Sequence, residues 1–581
     1  MRETDEIRIG SFAQRLTHIV SSISLRWVNK VLSGGGAEGQ GKGAKLTRPG
    51  RGIMSENGQT SFPSTCYNMA ERKAKEMIQT PPRPLLDDDA CYAAMRARDA
   101  RFDGRFFCGV SSTGIYCRPV CRVKVPKREN CTFFISAAAA EGAGYRPCLR
   151  CRPELAPGLA PVDSVARLAR GAALLVEQDS STARKVSEVA AMLGITDRHL
   201  RRVFFAEYGV SPVQYLQTHR LLLAKNLLSD TRLTITDVAM AAGFGSIRRF
   251  NHLFKAHYRL TPNGLRGKGR SVEESSQGIT LSLGYRPPYA WESLISFLSA
   301  RAVPGVESVA GDTYRRTAAI KKGDSIHYGW VSVANRPKQN TLSVTAAPGL
   351  LPVLPQVLAR IRLFFDVNCS PDKVYEKLAP MEEVAPGIRV PGIRVPGCFD
   401  PFELSVRAVL GQQVTVRAAG TLAGRLASTF GERIETPFEG LSFAFPHPER
   451  ICALPGPIED RLGPLGITGA RARSISALAT ALTANSLVLS YGSSPVDAME
   501  KLGRLPGFGP WTVQYIAMRA LGWPDAFPHT DYGVRKALPH IAVREILVMS
   551  QRWSPWRSYA TVLLWHSLSG KIGTQVRRCA P

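Results

Sequence analysis

Two pairs of cysteines constrain this chain more than any other feature. Cys117 and Cys121 have three residues between them, Cys148 and Cys151 have two, and 26 residues separate the pairs. Short intra-pair spacing lets two sulfurs bind one ion, and the longer spacer folds back to bring in the second pair. That is the pattern of a tetrahedral thiolate site for zinc, with a redox pair as the alternative. The remaining eight of the twelve cysteines, Cys131 between the pairs included, are scattered and too dilute for a disulfide scaffold.

Lys and Arg number 75 against 47 Asp and Glu, a formal net charge of +28. A surplus of this size attracts polyanions, and nucleic acid is the commonest of them. No run of about 18 apolar residues is present, and the opening MRETDEIRIGSF has no apolar core, so neither a membrane span nor a secretory signal is expected. The expected location is the cytoplasm.

A length of 581 residues suggests about four domains, and the chain reads as multidomain. Residues 1–84 read as a basic low-complexity tail, with eight glycines between Gly34 and Gly52 and alternative starts at Met54 or Met69. Residues 85–155 read as a small α+β zinc module, and PELAPGLAPVD (153–163) as a linker. Residues 162–267 have the three- and four-residue apolar spacing of an all-α domain, followed by the polar linker LRGKGRSVEESSQG (265–278). Residues 279–368 alternate strand-like runs with amphipathic helices, an α+β layer, and residues 372–570 are helical with Gly/Pro turns. The tandem PGIRVPGIRVPG (386–397) reads as a tolerated loop insertion within a turn.

Around the cysteines, Arg118 to Arg152 hold eight Lys or Arg residues and two Glu, a density suited to gripping phosphates beside the sulfurs. The runs TGIYCRPVCRVKVPKRENCTFF and GYRPCLRC resemble the N-terminal module of the Ada alkylation-response family over about residues 88–153. The resemblance implies a Zn2+ site of Cys117, Cys121, Cys148 and Cys151, in which Cys117 also takes a methyl group from a methylphosphotriester in DNA. Methylation reduces the charge of the cluster by one unit and is expected to tighten DNA binding.

The segment KVSEVAAMLGITDRHLRRVFFAEYGVSPVQYL (185–216) has the helix-turn-helix pattern, and TITDVAMAAGFGSIRRFNHLFKAHYRLTPNGLR (234–266) repeats it, with Gly194 and Gly243 at equivalent turns. The second helix of each is basic. Arg198, Arg201 and Arg202 stand on the first, and Arg248, Arg249 and Lys255 on the second, while Phe204, Phe250 and Phe254 read as core. GFGSIRRFNHLFKAHYRLTP resembles the AraC family signature. This implies a tandem domain that reads successive major grooves of a promoter operator in double-stranded DNA, with RNA polymerase as a further partner and a monomer as the working form.

In LGRLPGFGPWTVQYIAMRALGWPDAFPHTDYGVRKAL (502–538), Leu-Pro-Gly-Phe-Gly before a helix is a helix-hairpin-helix turn. Gly507 and Gly509 leave backbone N–H groups open to a DNA phosphate. With Asp531 at a set distance, the segment resembles the helix-hairpin-helix glycosylase superfamily, which implies that Asp531 is catalytic; a plain N-cap is the alternative. Bifunctional members place a lysine where this chain has Trp511, and no cysteine lies between Cys452 and Cys579 to hold an iron–sulfur cluster, so a monofunctional enzyme is expected.

TLSLGYRPPYAWESLISFLSARAV and DPFELSVRAVLGQQVTV resemble the first and middle domains of AlkA-type 3-methyladenine DNA glycosylases, and the likeness covers about residues 279–568. It implies an aromatic pocket of Phe297, Trp511, Tyr515 and Trp565 for a cationic alkylated base. It also implies Gln413 as the plug of the vacated base stack, polar where an apolar wedge is usual. The expected reaction is hydrolysis of the N-glycosidic bond of alkylated bases in DNA. The competing reading is a transcriptional regulator whose glycosylase half only binds DNA. No Pro-Cys-His-Arg sequence is present, so direct O6-methylguanine repair is not expected.

Overall fold

The computed structural model describes residues 87–157, 167–178, 186–266, 278–490 and 493–569. The basic tail at 1–84 and most of the two linkers lie outside the described residues. In the zinc module, α1 (Asp88–Ala97) starts at Asp87, whose carboxylate accepts from the Ala90 N–H at 2.7 Å. Cys91, Ala94 and Met95 of α1 pack with Cys108, Val110, Cys131 and Phe133. Those residues belong to a four-stranded sheet of order β3–β1–β2–β4, formed by β1 (Phe107–Val110), β2 (Ile115–Cys117), β3 (Cys131–Phe134) and β4 (Arg146–Pro147). Helix α2 (Ala137–Gly142) follows β3.

The helical domain runs α3 (Arg167–Gln178), α4 (Val186–Met192), α5 (Asp197–Tyr208), α6 (Pro212–Asp230), α7 (Ile235–Ala241), α8 (Ile247–Tyr258) and α9 (Pro262–Arg266). Gly194 and Gly243 turn the chain at φ +68° and +84°, a conformation that glycine adopts without strain. Helix α6, opened by a Ser211/Gln214 capping box, joins the two helix-turn-helix units. Phe204, Phe250 and Phe254 are fully buried, as expected of core residues.

The α+β layer is an antiparallel sheet of order β5–β9–β8–β7–β6. Its strands are β5 (Ile279–Gly284), β6 (Glu307–Ala310), β7 (Thr313–Lys322), β8 (Ser325–Arg336) and β9 (Thr341–Ala346), accompanied by α10 (Trp291–Ser299) and α11 (Leu354–Phe364). The sequence reading missed β6, which is four residues long and lacks an alternating pattern. The rest is α12 (Pro371–Lys377), α13 (Pro401–Leu410), α14 (Val416–Phe430), α15 (Pro448–Cys452), α16 (Ile458–Leu462), α17 (Gly469–Thr483), α18 (Pro495–Gly503), α19 (Pro510–Arg519), α20 (Tyr532–Ala537), α21 (Val543–Met549) and α22 (Arg557–Ser567). Among the described residues, no helix is long and apolar enough to cross a membrane.

The duplicated PGIRV segment is not a free surface insertion. Ile388, Ile393 and Val395 are buried in the helical core. Arg394 of the second copy is 1% exposed. Its guanidinium donates to Arg286 O at 2.8 Å and Pro288 O at 3.1 Å and lies over the Tyr289 ring at 4.5 Å. In the first copy, Arg389 is part-exposed and pairs with Glu382 at 2.9 Å.

The modules meet through buried polar side chains. Arg286, fully buried, donates to Asp103 O in the zinc module and to Asn368 O, both at 3.0 Å. Gly284 lies so close to the Leu155 carbonyl oxygen that a Cβ would sit 1.8 Å from it. Toward the helix-turn-helix domain, Lys225 pairs with Glu154 at 2.6 Å, and Arg152 with Asp230 at 2.7 Å.

Between α2 and α6, Glu141 accepts from Tyr116 Oη at 3.1 Å and Thr218 Oγ1 at 2.9 Å. Burial pushes the Glu141 carboxyl up to about 7, against the pull of Thr218, Tyr116 and Lys225. A carboxyl raised from 4.5 binds an extra proton in the folded state between pH 4.5 and about 7, so its contribution to stability falls as pH rises through that window. The melting temperature should therefore drop by a few degrees between pH 6 and pH 8, and Glu141→Gln should shrink that drop. An undiminished drop in the variant would assign it to other groups.

Candidate active site and metal centre

Asp531 caps α20. Its Oδ1 accepts from the backbone N–H groups of Gly533 at 2.8 Å and Val534 at 3.2 Å. The same oxygen accepts from Trp565 Nε1 at 2.8 Å, and Oδ2 accepts from Trp511 Nε1 at 2.8 Å. The cap alternative and the functional reading are thus compatible, since one carboxylate serves the helix end and gathers two indoles. Asp531 is 9% exposed, but Thr530 and Tyr532 on either side of it are on the surface.

The four expected aromatics come together around this carboxylate. Trp511 stacks on Tyr515 with ring centroids 5.2 Å apart, Phe297 on Trp565 at 5.8 Å, and Tyr515 is tilted against Trp565 at 6.3 Å. Phe297 and Trp565 also line a cavity of about 330 Å3 that includes Arg301, Arg394, Pro396 and His566.

Two arginines were missed by the sequence reading. Arg301 lies 3.8 Å from the Phe297 ring centroid, and Arg519 lies 5.3 Å from Phe297 and 5.4 Å from Tyr515. One face of Phe297 is therefore filled by the chain's own cation. Burial pushes the Tyr515 phenol up, but the guanidiniums of Arg519, Arg301 and Arg407 outweigh it and hold the group below its ordinary value. Burial also holds Arg301 below the usual guanidinium range. The available signal was spacing alone, since each arginine stands four residues after the aromatic it covers.

The hairpin turn sits between α18 and α19. Gly507 has φ +80°, and a Cβ there would meet Ser474 Oγ at 2.2 Å, so the position requires glycine. Gly509 caps α19 and is open to solvent. Gln412 Nε2 donates to Gly507 O at 2.9 Å and Thr512 Oγ1 at 3.0 Å, tying the next loop to the hairpin. Gln413 is exposed on that loop at φ +55°, beside the exposed Val414 and Val416.

In the zinc module, the Sγ atoms of Cys117, Cys121, Cys148 and Cys151 all lie within 4.8 Å of one another. Zinc–sulfur bonds of about 2.3 Å in a tetrahedron place sulfurs roughly 3.8 Å apart, so the residues fit the ion, and the cluster is a Zn2+ site. The sulfurs differ in their backbone donors. Cys121 receives an N–H from Val123, Cys148 from Cys151, and Cys151 from Arg118 at 3.4 Å. Arg118 further donates through Nε to Asp103 at 2.8 Å and through Nη1 to Cys151 O at 3.1 Å.

The basic residues of the helix-turn-helix units lie on open faces. Arg198, Arg201 and Arg202 on α5 are exposed, as are Arg248, Arg249 and Lys255 on α8. Arg201 pairs with Asp197 at 3.1 Å, and Arg202 Nη2 lies 3.0 Å from His199 Nδ1.

Three family models match the chain: "Metal binding domain of Ada" over residues 90–154, "Helix-turn-helix domain" over 189–268 and "AlkA N-terminal domain" over 280–400. DNA-3-methyladenine glycosylase 2 of Escherichia coli is 35% identical over 286 residues, which is 49% of this chain and 96% of that protein. The bifunctional transcriptional activator/DNA repair enzyme AdaA of Bacillus subtilis is 31% identical over 192 residues, 33% of this chain and 87% of that protein. The probable bifunctional transcriptional activator/DNA repair enzyme AlkA of Mycobacterium tuberculosis is 38% identical over 500 residues, covering 84% of this chain and 97% of that protein. At that identity and coverage, with sensor, regulator and glycosylase segments in one chain, the protein belongs to the family of bifunctional AlkA-type transcriptional activator/DNA repair enzymes.

Proposed function

We propose that this protein is a DNA glycosylase that hydrolyses the N-glycosidic bond of alkylated bases of the 3-methyladenine type, fused to a methyl-accepting sensor and transcriptional regulator. The sensor is assigned to residues 85–155, the regulator to 162–267, and excision to 279–368 with 372–570. The observation that carries the reading is the Asp531 carboxylate, held by Trp511 and Trp565 while both indoles contribute to an aromatic wall.

An N-alkylated purine is cationic and leaves as a neutral base once its electron pair moves onto the ring. The sugar left behind has oxocarbenium character, and water completes the hydrolysis at its C1′. Base extrusion costs a few kcal/mol, offset by stacking in the pocket. Four N–H donors keep the charge of Asp531 fixed in place. This favours electrostatic stabilisation of the oxocarbenium sugar over proton abstraction from water. Backbone N–H groups at Gly507 and Gly509 grip a phosphate, and Gln413 fills the vacated stack. Trp511 stands where strand-cleaving relatives have a lysine, so the enzyme stops at the abasic site.

In the sensor, bound zinc keeps the four sulfurs ionised at neutral pH. Cys117 Sγ attacks the methyl carbon of a methylphosphotriester: the S–C bond forms, the C–O bond breaks, and the electron pair stays on the phosphate oxygen. The likeness of this segment to the metal-binding domain of Ada supports Cys117 as the nucleophile. The basic faces of α5 and α8 would read successive major grooves of an operator. Because one chain supplies both reading helices, a monomer suffices, and RNA polymerase is the further partner of the activator. Work on chromosomal DNA implies action at the nucleoid.

Asp531→Asn should lower single-turnover release of 3-methyladenine from alkylated duplex on the order of 100-fold or more while leaving DNA affinity nearly unchanged. Retained excision would refute the assignment. Cys117→Ala should abolish methyl transfer from methylphosphotriester DNA without lowering base release, whereas Cys148→Ser should reduce the zinc content. Methyl uptake by the Cys117 variant would place the acceptor elsewhere.

A further inference from the structure

Gly533 is the second residue of α20, and its backbone does not lie in the left-handed region. Glycine is therefore not needed there for conformation, and within a helix it is among the poorest choices. A helical glycine with no conformational need calls for a packing explanation. Here the reason is visible. A Cβ at this position would lie 2.7 Å from Trp565 Cδ1, 3.0 Å from Trp565 Nε1 and 3.0 Å from Asp531 Oδ1. None of these is the free end of a flexible chain. The indole is stacked on Phe297, and the carboxylate is held by four donors.

We infer that Gly533 is a positioning residue for Asp531: its missing side chain is what allows the Trp565 indole to reach the carboxylate. Any side chain at 533 pushes the indole away, removing one donor from Oδ1 and moving an aromatic wall at the same time. Gly533 also donates its own N–H to Oδ1 at 2.8 Å, so a single residue supplies one hydrogen bond and makes room for a second. The neighbours follow a different rule, since Val534 is buried in the core and Tyr532 is 77% exposed.

The inference rests on the reading of Asp531 as the carboxylate beside the reacting sugar. It predicts a defect in the chemical step rather than in DNA binding, because the oxocarbenium charge exists only in the transition state. The full-length, zinc-loaded protein should be assayed on a duplex with one N-alkylated purine, comparing Gly533→Ala, Trp565→Phe, their double variant and Asp531→Asn. The expected result for Gly533→Ala is a folded, zinc-loaded protein whose melting temperature falls by no more than a few degrees, since the helix propensity of alanine offsets part of the cost of displacing the indole. Its affinity for abasic-site duplex should stay within about twofold, and single-turnover release should fall roughly 10- to 100-fold, the effect of losing one hydrogen bond to a charged group.

Trp565→Phe keeps a ring but removes the N–H, and the double variant should be no slower than the slower single variant. Parental rates for Gly533→Ala, multiplicative losses in the double variant, or a loss of binding equal to the loss of rate would each overturn the inference. Activity in Asp531→Asn would instead overturn the underlying reading of the site.

Discussion

The Asp531 carboxylate takes hydrogen bonds from two indoles and two backbone amides, and the fold delivers those donors from three separate helices. Trp511 comes from the first turn of α19, immediately after the hairpin; Trp565 comes from α22, at the far end of the described chain; Gly533 and Val534 belong to α20, which Asp531 itself caps. A hydrogen bond to a charged acceptor contributes on the order of 2 kcal/mol, so the four donors work against the cost of placing the carboxylate in a nearly closed position. The hairpin proposed to offer its backbone to DNA also starts the helix carrying Trp511, so phosphate binding there would be linked to the carboxylate through a few residues of chain.

Where Asp531 draws on backbone donors, the modules are joined through backbone acceptors. Arg286 and Arg394 are buried at the meeting of the zinc module, the α+β layer and the helical core, and the partners that hold them are main-chain carbonyls. Carbonyl oxygens at Asp103 and Pro288 are fixed by the fold, so such contacts demand a particular arrangement of the surrounding chain. Arg118, next to Cys117, holds the Asp103 side chain, while Asp103 O receives Arg286. The sensor is thereby docked on the glycosylase half by residues that also order its own cysteine cluster.

Much of this was legible in the sequence. The cysteine spacing, the repeated glycine turns of the helix-turn-helix units and the Leu-Pro-Gly-Phe-Gly hairpin are local patterns, and local geometry dictates them. Asp531 and its four aromatics were named because they sit in recognisable runs, although nothing in those runs says that Trp511 and Trp565 point their N–H groups at one carboxylate. What escaped was long-range. Arg301 and Arg519 were not singled out in the sequence, and only folding places them over Phe297. Gly533 reads as an unremarked helical glycine until α22 packs against it. The PGIRV repeat reads as a loop because its composition is that of a turn, and only the packing of Ile393 and Arg394 against distant residues makes it part of the core.

The most direct test of the central claim uses two duplexes that differ only at the sugar of one abasic position, one carrying a protonated pyrrolidine ring and the other a neutral tetrahydrofuran. If Asp531 stabilises positive charge on an extruded sugar, the parent protein binds the cationic duplex at least about tenfold more tightly than the neutral one, and Asp531→Asn loses that preference. Equal affinity of the parent protein for the two duplexes would contradict the account.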